Sequence, residues 1–343
     1  MTPAIELSNR SKVFRSPVRG GGIMAAVRQV GRSAYDEIHA VRNLTFSIEA
    51  GERVSFVGPN GAGKSTTVKM LSGVLHPTSG EGRVLGLVPW RERQALGFAI
   101  GAVFGQRSRL WLHLPAIDTF DLLAHVYEID RPTYRRRCSS LVEMFQIGGL
   151  VTKPVRQLSL GERMRCELVA CLLHAPRILF LDEPTIGLDV VAKATLRELI
   201  REQSERDGTT ILLTSHDTGD MEQVCDRVLV INRGRLLMDR GVAELRRTYL
   251  RRKVVTVLTE DARIDINLPG VTVTSRAPHR TVLEVDRDVA SIEVVVAAVL
   301  SASRLQDLTV EDPPMEEVVQ AIYLDTGPRL PSPPDGELTG GVP

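Results

Sequence analysis

The chain has 343 residues with 43 Lys and Arg against 42 Asp and Glu, a formal net charge of +1. Near-zero charge argues against a dedicated nucleic-acid surface, and the length suits one large α/β domain with a smaller companion. With 43 % hydrophobic and 25 % charged residues the composition is that of an ordinary globular protein, neither disordered nor membrane-spanning.

In chain order, Ile5 to Phe14 and Ala40 to Ile48 read as the first strands. Between them, Arg15 to Ala34 is an insertion with a Gly20-Gly21-Gly22 hinge and a short basic stretch, Ile23 to Val30, of near-helical spacing. It reads equally as a helix for lipid headgroups or a permease, or as a solvated insertion. Arg53 to Val57 is a short buried strand, followed at once by Gly58-Pro59-Asn60-Gly61-Ala62-Gly63-Lys64-Ser65-Thr66 and a helix through Leu71. Every fixed position of G-x-x-x-x-G-K-[ST] is filled, between a strand and a helix as the chemistry requires. Backbone N–H groups of such a loop form a concave anion site at a helix N-terminus. Lys64 supplies a point charge to the β- and γ-phosphates and Ser65 a hydroxyl for Mg²⁺, which points to a nucleoside triphosphatase.

Farther on, Val103-Phe104-Gly105-Gln106 ends another strand, and Leu110-Trp111-Leu112 lies just beyond it. Helical patterns run from Ile117 to Ile129 and from Tyr134 to Phe145. Leu158-Ser159-Leu160-Gly161-Glu162 opens a further helix. Arg177 to Leu181 is an apolar strand ending in Asp182-Glu183, the pattern of a central parallel strand whose C-terminal end faces a ligand. Asp182 is expected to hold Mg²⁺ through water, and Glu183 to polarise the water that attacks the γ-phosphate. Ile186-Gly187-Leu188-Asp189 follows, then Thr210 to Leu213 as a strand leading into Thr214-Ser215-His216-Asp217.

From Ile5 to about Leu245 this order of motifs resembles the ATP-binding subunit of an ABC transporter. The resemblance implies a P-loop α/β ATPase fold, residues 5–245, with a helical subdomain at about 107–165 that receives a permease. It implies ATP and Mg²⁺ as cofactors, with Gln106 contacting the metal and reporting nucleotide state, and His216 contacting the γ-phosphate. It also implies head-to-tail pairing with a second such subunit, most simply a second copy. Ser159, Gly161 and Glu162 would then face the partner's ATP, and Asp189 would link the two sites. An aromatic platform for adenine is expected before the phosphate loop, and Tyr35 is the candidate. Leu160 and Glu162 depart from the family's usual Gly and Gln; Glu162 brings a carboxylate toward a phosphate-facing turn and would weaken it unless Arg163 or Arg165 compensates. Trp111 reads equally as core or as part of the permease-docking groove.

Finer likenesses, among them Phe104-Gly105-Gln106 followed by Leu110-Trp111, resemble the exporter branch with separate permease chains. An importer ATPase is the near alternative, and a non-transport ABC ATPase acting on ribosomes or DNA the more distant one. With no apolar run long enough to span a bilayer, the subunit is expected at the cytoplasmic face, peripheral through its permease. The four cysteines lack metal-knuckle spacing and read as buried thiols. Arg246 to Lys253 reads as an exposed linker to a small α+β domain, residues 253–326, with strands at Val254–Thr259 and Thr281–Val285 and helices at Ala290–Ser301 and Met315–Tyr323. Residues 327–343 are Pro- and Gly-rich and expected to be disordered.

Overall fold

The computed structural model describes residues 3–17, 35–104, 108–249 and 252–312. The chain forms two compact units, Met1–Arg247 and Thr248–Pro343. The first begins with an antiparallel hairpin, β1 (Ile5–Pro17) and β2 (Tyr35–Ile48), paired from Ile5↔Ile48 out to Pro17↔Tyr35. Residues 15–17 are therefore strand rather than insertion, while the predicted basic helix at 23–30 lies outside the described residues. Strand β3 (Arg53–Val57) leads into helix α1 (Lys64–Leu71), and β4 (Ser79–Val84) pairs with β1. Helix α2 (Arg93–Ala99) and strand β5 (Ile100–Phe104) come next.

Helices α3 (Ala116–Val126) and α4 (Arg131–Met144) fall where the helical subdomain is expected, and α5 (Leu160–Leu172) runs from the Ser159 turn. The predicted helix from Ile117 to Ile129 stops at Val126, and α4 restarts behind Asp130, whose carboxylate accepts the Thr133 N–H at 2.9 Å as an N-cap. The remainder alternates β6 (Ile178–Asp182), α6 (Val190–Asp207), β7 (Thr210–Ser215), α7 (Thr218–Val224), β8 (Arg227–Asn232), β9 (Arg235–Gly241) and α8 (Val242–Tyr249).

The central sheet has the order β5-β6-β7-β3-β8-β9, all parallel except β9. Its inner strands are buried on both faces, as continuous apolar runs such as Ile178 to Leu181 require. Strand β7 lies between β3 and β6, so the phosphate loop, the carboxylate pair and the Ser215-His216 turn leave the sheet at one C-terminal edge. Ligands of doubly wound sheets bind at that edge. One apolar core joins α3–α6 to the sheet and a second fills the space beneath the β1–β2–β4 layer.

Among the described residues the second unit is a four-stranded antiparallel sheet, order β11-β12-β10-β13, with one helix packed on it. Its strands are β10 (Arg252–Thr259), β11 (Val271–Ala277), β12 (Arg280–Asp286) and β13 (Leu305–Glu311); α9 (Ile292–Ala302) supplies Val295 and Val299 to a core with Val255, Val257, Leu283 and Val285. The segment read as a linker is helix at its start, because Arg246 and Arg247 belong to α8, with Arg246 paired to Glu222 at 3.1 Å. The helix predicted at 315–323 and the tail at 327–343 lie outside the described residues.

Candidate functional site

Phosphate-loop geometry follows from close backbone packing. Gly63 has φ +108°, and a Cβ there would lie 2.4 Å from the Ala40 carbonyl oxygen, so no other residue fits. The β8–β9 turn braces the same place: the Gly234 N–H donates to Ala62 O at 2.8 Å and the Arg42 N–H donates to Gly234 O at 2.7 Å. Lys64 is only 5 % exposed, and its Nζ donates to the Gly58 and Pro59 carbonyls at 2.6 and 3.3 Å. Burial lowers its pKa, opposed by the nearby carboxylates of Glu183 and Asp182. The loop thus holds a buried ammonium group curled over its own carbonyls. Asn60 and Gly61 at the tip are exposed, while Thr66 and Ser65 are half-buried in the first turn of α1.

The carboxylate pair faces this loop. Asp182 Oδ1 accepts the Ser65 hydroxyl at 3.0 Å and the Thr214 hydroxyl at 2.5 Å. Glu183 has φ +55°, uncommon for a residue with a side chain, and its N–H is held by Thr214 O at 3.0 Å. Its Oε1 sits 4.0 Å from Lys64 Nζ and 3.6 Å from His216 Nδ1. The carboxylate oxygen thus lies near both the phosphate-loop ammonium and the half-exposed His216. Gln106, with Gly105 and Arg107, lies outside the described residues; the strand it follows ends with Phe104 in register with Asp182. The segment just after it is fastened to α5, where buried Glu167 accepts the Ser108 hydroxyl and the Arg109 N–H.

The Ser159 turn belongs to a different surface. Among the described residues no hydrogen bond or ion pair joins it to the phosphate loop. Instead it packs on the segment after Glu183: a Cβ at Gly161 would lie 3.1 Å from Ala192 Cβ, and one at Gly187 would lie 3.0 Å from Leu160 Cδ2. An open cleft of about 440 Å³ between them is lined by Ser159, Gly161, Glu162, Arg165 and Asp189.

Glu162 departs from expectation. Its carboxylate turns back to accept the Ser159 N–H at 2.8 Å, while Ser159 Oγ accepts the Glu162 N–H at 3.3 Å, a closed capping box. That backbone bond, not an arginine, is the main cause holding the Glu162 carboxyl below its usual range. Arg165 is spent elsewhere, on the Phe145 and Gln146 carbonyls. The charge at 162 therefore does not open the turn, and Leu160 fits as the first residue of α5. Asp189 is also a cap, its Oδ1 accepting the Ala192 N–H at 2.8 Å.

The ABC transporter family model matches residues 41–186, from β2 through the carboxylate pair. The daunorubicin resistance ATP-binding protein DrrA3 of Streptomyces coeruleorubidus is 32 % identical over 289 residues, covering 83 % of this chain and 91 % of that protein. This chain belongs to the ABC transporter family as an ATP-binding subunit. It is an ATPase. The linearmycin resistance ATP-binding protein LnrL of Bacillus subtilis is 27 % identical, covering 84 % of this chain and 94 % of its own length. Among solved structures, an ATP-binding subunit of an ABC transporter aligns with a TM-score of 0.58 at 25 % identity, over 72 % of this chain and 93 % of that one. A dimeric ATP-binding cassette bound to ADP and Pi has the same fold, TM-score 0.58 at 24 % identity, over 69 % of this chain and 98 % of that one.

Two aromatic positions read from the sequence can be placed in the fold. Tyr35 opens β2 and pairs with Pro17, five residues and about 17 Å of strand from Ala40, which touches the phosphate loop. Phe14 pairs with Ile38, only about 7 Å along the strand from Ala40, and is 40 % exposed with Lys12 Nζ 5.0 Å from its ring centroid. Phe14 closes the first strand read from the sequence, so it too is an aromatic ahead of the phosphate loop. Trp111 is 47 % exposed, beside the exposed Leu112 and Leu114, so it is not a core residue.

Proposed function

We propose that this subunit drives export through separate permease chains, by ATP-driven closure of two head-to-tail copies and hydrolysis at Glu183. The observation that carries the catalytic part is the position of the Glu183 carboxylate, between the Lys64 ammonium at 4.0 Å and His216 at 3.6 Å. A γ-phosphate drawn to Lys64 would present its attacking water to a fixed base, with His216 at the opposite side. Ser65 and Asp182 suit Mg²⁺, which commonly takes one or two protein oxygens and completes its shell with phosphate and water. When bound, the metal would neutralise charge on the phosphates. Gln106 would join that shell from the end of β5.

In the closed pair, Ser159 and Gly161 at the N-terminus of α5 would cap the partner's γ-phosphate, where a helix end favours an anion. The capping box supports this, because Ser159 Oγ uses only its acceptor and keeps its proton for a phosphate oxygen. Exposed Val190 and Val191, beside Asp189, suit burial between the two copies. Exposed Trp111, Leu112 and Leu114 suit a permease segment docking on the helical subdomain. The unit from Thr248 onward would bias closure rather than chemistry, since every residue named in the site precedes it. None of the described helices is long and apolar enough to cross a membrane, so attachment there would run through the permease.

Export rather than import is supported by relatives named for daunorubicin resistance, linearmycin resistance and Nod factor export. The direction is tested in inside-out vesicles holding this subunit and a permease that co-purifies with it, with daunorubicin as first probe. ATP should drive the drug into the vesicles, and a Glu183→Gln subunit should not. ATP-driven loss of preloaded drug from the vesicles would instead make the subunit an importer's.

Phe14 is proposed as the adenine platform in place of Tyr35. Stacking on a base contributes about 1–3 kcal/mol, so Phe14→Ala should raise the Kd for ATP roughly 5- to 150-fold, and Phe14→Tyr should leave it near wild type. Titration with a fluorescent ATP analogue reads this directly; a Tyr35→Ala loss of that size, with Phe14→Ala silent, reverses the assignment.

A further inference from the structure

Asp220, in the first turn of α7, is a fully buried carboxylate outside the motifs described so far. Its Oδ2 accepts two hydroxyls, Thr185 Oγ1 at 2.6 Å and Ser215 Oγ at 2.7 Å. Its Oδ1 accepts Arg197 Nε at 2.6 Å. Thr185 stands two residues after Glu183, Ser215 one residue before His216, and Arg197 on the helix that Asp189 caps. One carboxylate therefore fastens three separate segments of the site to one another.

Arg197 continues the network. Its Nη2 lies 2.9 Å from Asp217 Oδ1, and Lys193 Nζ, one turn earlier on α6, lies 2.7 Å from Asp217 Oδ2. The guanidinium also lies flat against Gly219, where a Cβ would come within 2.8–3.0 Å of its atoms. Asp217 follows His216 directly and caps α7 through the Gly219 N–H at 2.9 Å. His216 is thus flanked by Asp217, paired directly to α6, and by Ser215, tied to α6 through Asp220, yet its own side chain is 56 % exposed and touches only Glu183 among the described ion pairs. Burying the Arg197–Asp220 pair in this way costs desolvation that well-packed apolar residues would avoid, so stability alone is a poor reason for it.

We propose that Asp220, oriented by Arg197, is a positioning residue: it sets His216 against Glu183 and makes that register depend on the placement of α6. Because Asp189 heads α6, the network gives a mechanical route by which an event at the Asp189 end of one chain alters the His216–Glu183 contact in the same chain. The coupling is through rigid packed groups with short, charge-assisted bonds, which tolerate little independent movement. This rests on the proposed roles of Glu183 and His216, and the test separates the two.

Ser215→Ala removes one donor to Asp220 and the acceptor of the Asp217 N–H at 2.9 Å, and leaves Arg197 in place, so the fold survives it more readily than Arg197→Met. Single-turnover hydrolysis by Ser215→Ala should fall about fivefold, with the KM for ATP within about twofold of wild type, because the phosphate loop is untouched. In a His216→Ala background the same change should add less than about twofold, since the residue it positions is already gone. Arg197→Met, if folded by thermal unfolding, should show the same pattern with a larger first loss. Multiplying losses in the His216→Ala background, or wild-type turnover by Ser215→Ala, would overturn the positioning role. A Glu183→Gln chain that still hydrolyses ATP would instead overturn the underlying catalytic reading.

Discussion

Glu183→Gln should bind ATP at least as tightly as wild type and lose nearly all turnover. The carboxylate sits 4.0 Å from Lys64 Nζ, over the space a γ-phosphate would fill, so its charge repels the nucleotide as well as serving as base. A neutral amide of the same shape removes the repulsion and the basicity together. General-base loss typically costs about 10²–10⁴-fold in rate. Gln meets the same backbone demand at φ +55° as Glu, so little destabilisation is expected beyond that already stored there. With closure favoured and reopening blocked, ATP should convert the variant into a stable dimer on size-exclusion chromatography. Turnover near the wild-type rate would remove Glu183 from the chemistry.

Lys64→Ala should produce the complementary phenotype, a loss of binding. Among the described residues the ammonium group donates to two carbonyls, Gly58 and Pro59, both of which can be served by water once it is gone. Burial already disfavours its charge, and a polyphosphate is the partner that would restore it. A hydrogen bond to a charged group is worth about 1.5–3 kcal/mol, so ATP affinity should fall by one to two orders of magnitude. The loop itself should persist, because Gly63 against Ala40 and Gly234 on Ala62 brace it independently of the lysine. Calorimetric titration with ATP beside a thermal melt measures both. Unchanged affinity, or collapse of the fold, would contradict this assignment.

Residues 58–66, 158–162, 182–183, 189 and 214–217 were legible as candidate site residues because they fall in short motifs whose residue types the chemistry restricts. Phosphate binding needs glycines, a lysine and a hydroxyl in a fixed local order, and local order is what a sequence displays. The second unit was read less completely: β10 and β12 alternate apolar and polar residues around a core, whereas β11 and β13 flank them at the sheet edges, largely exposed, and carry little period.

Glu162 shows where local reading ends. Its sequence position announced a charge near a phosphate site, and only the rotamer revealed that the charge closes on the Ser159 N–H. Phe14 and Tyr35 differ in the same way, since the register of β1 against β2 decides which aromatic lies nearer Ala40 along the strand. The buried set of Asp220, Arg197, Thr185 and Ser215 has no motif at all; it spans 36 residues of sequence and is assembled by the order of β6, β7 and α6 in space. The sequence by itself determined the family, the phosphate loop and the carboxylate pair, because those depend on neighbouring residues. Which side chains meet across strands, and which charges are already satisfied, were decided by tertiary packing, because those bonds join segments that no local pattern relates.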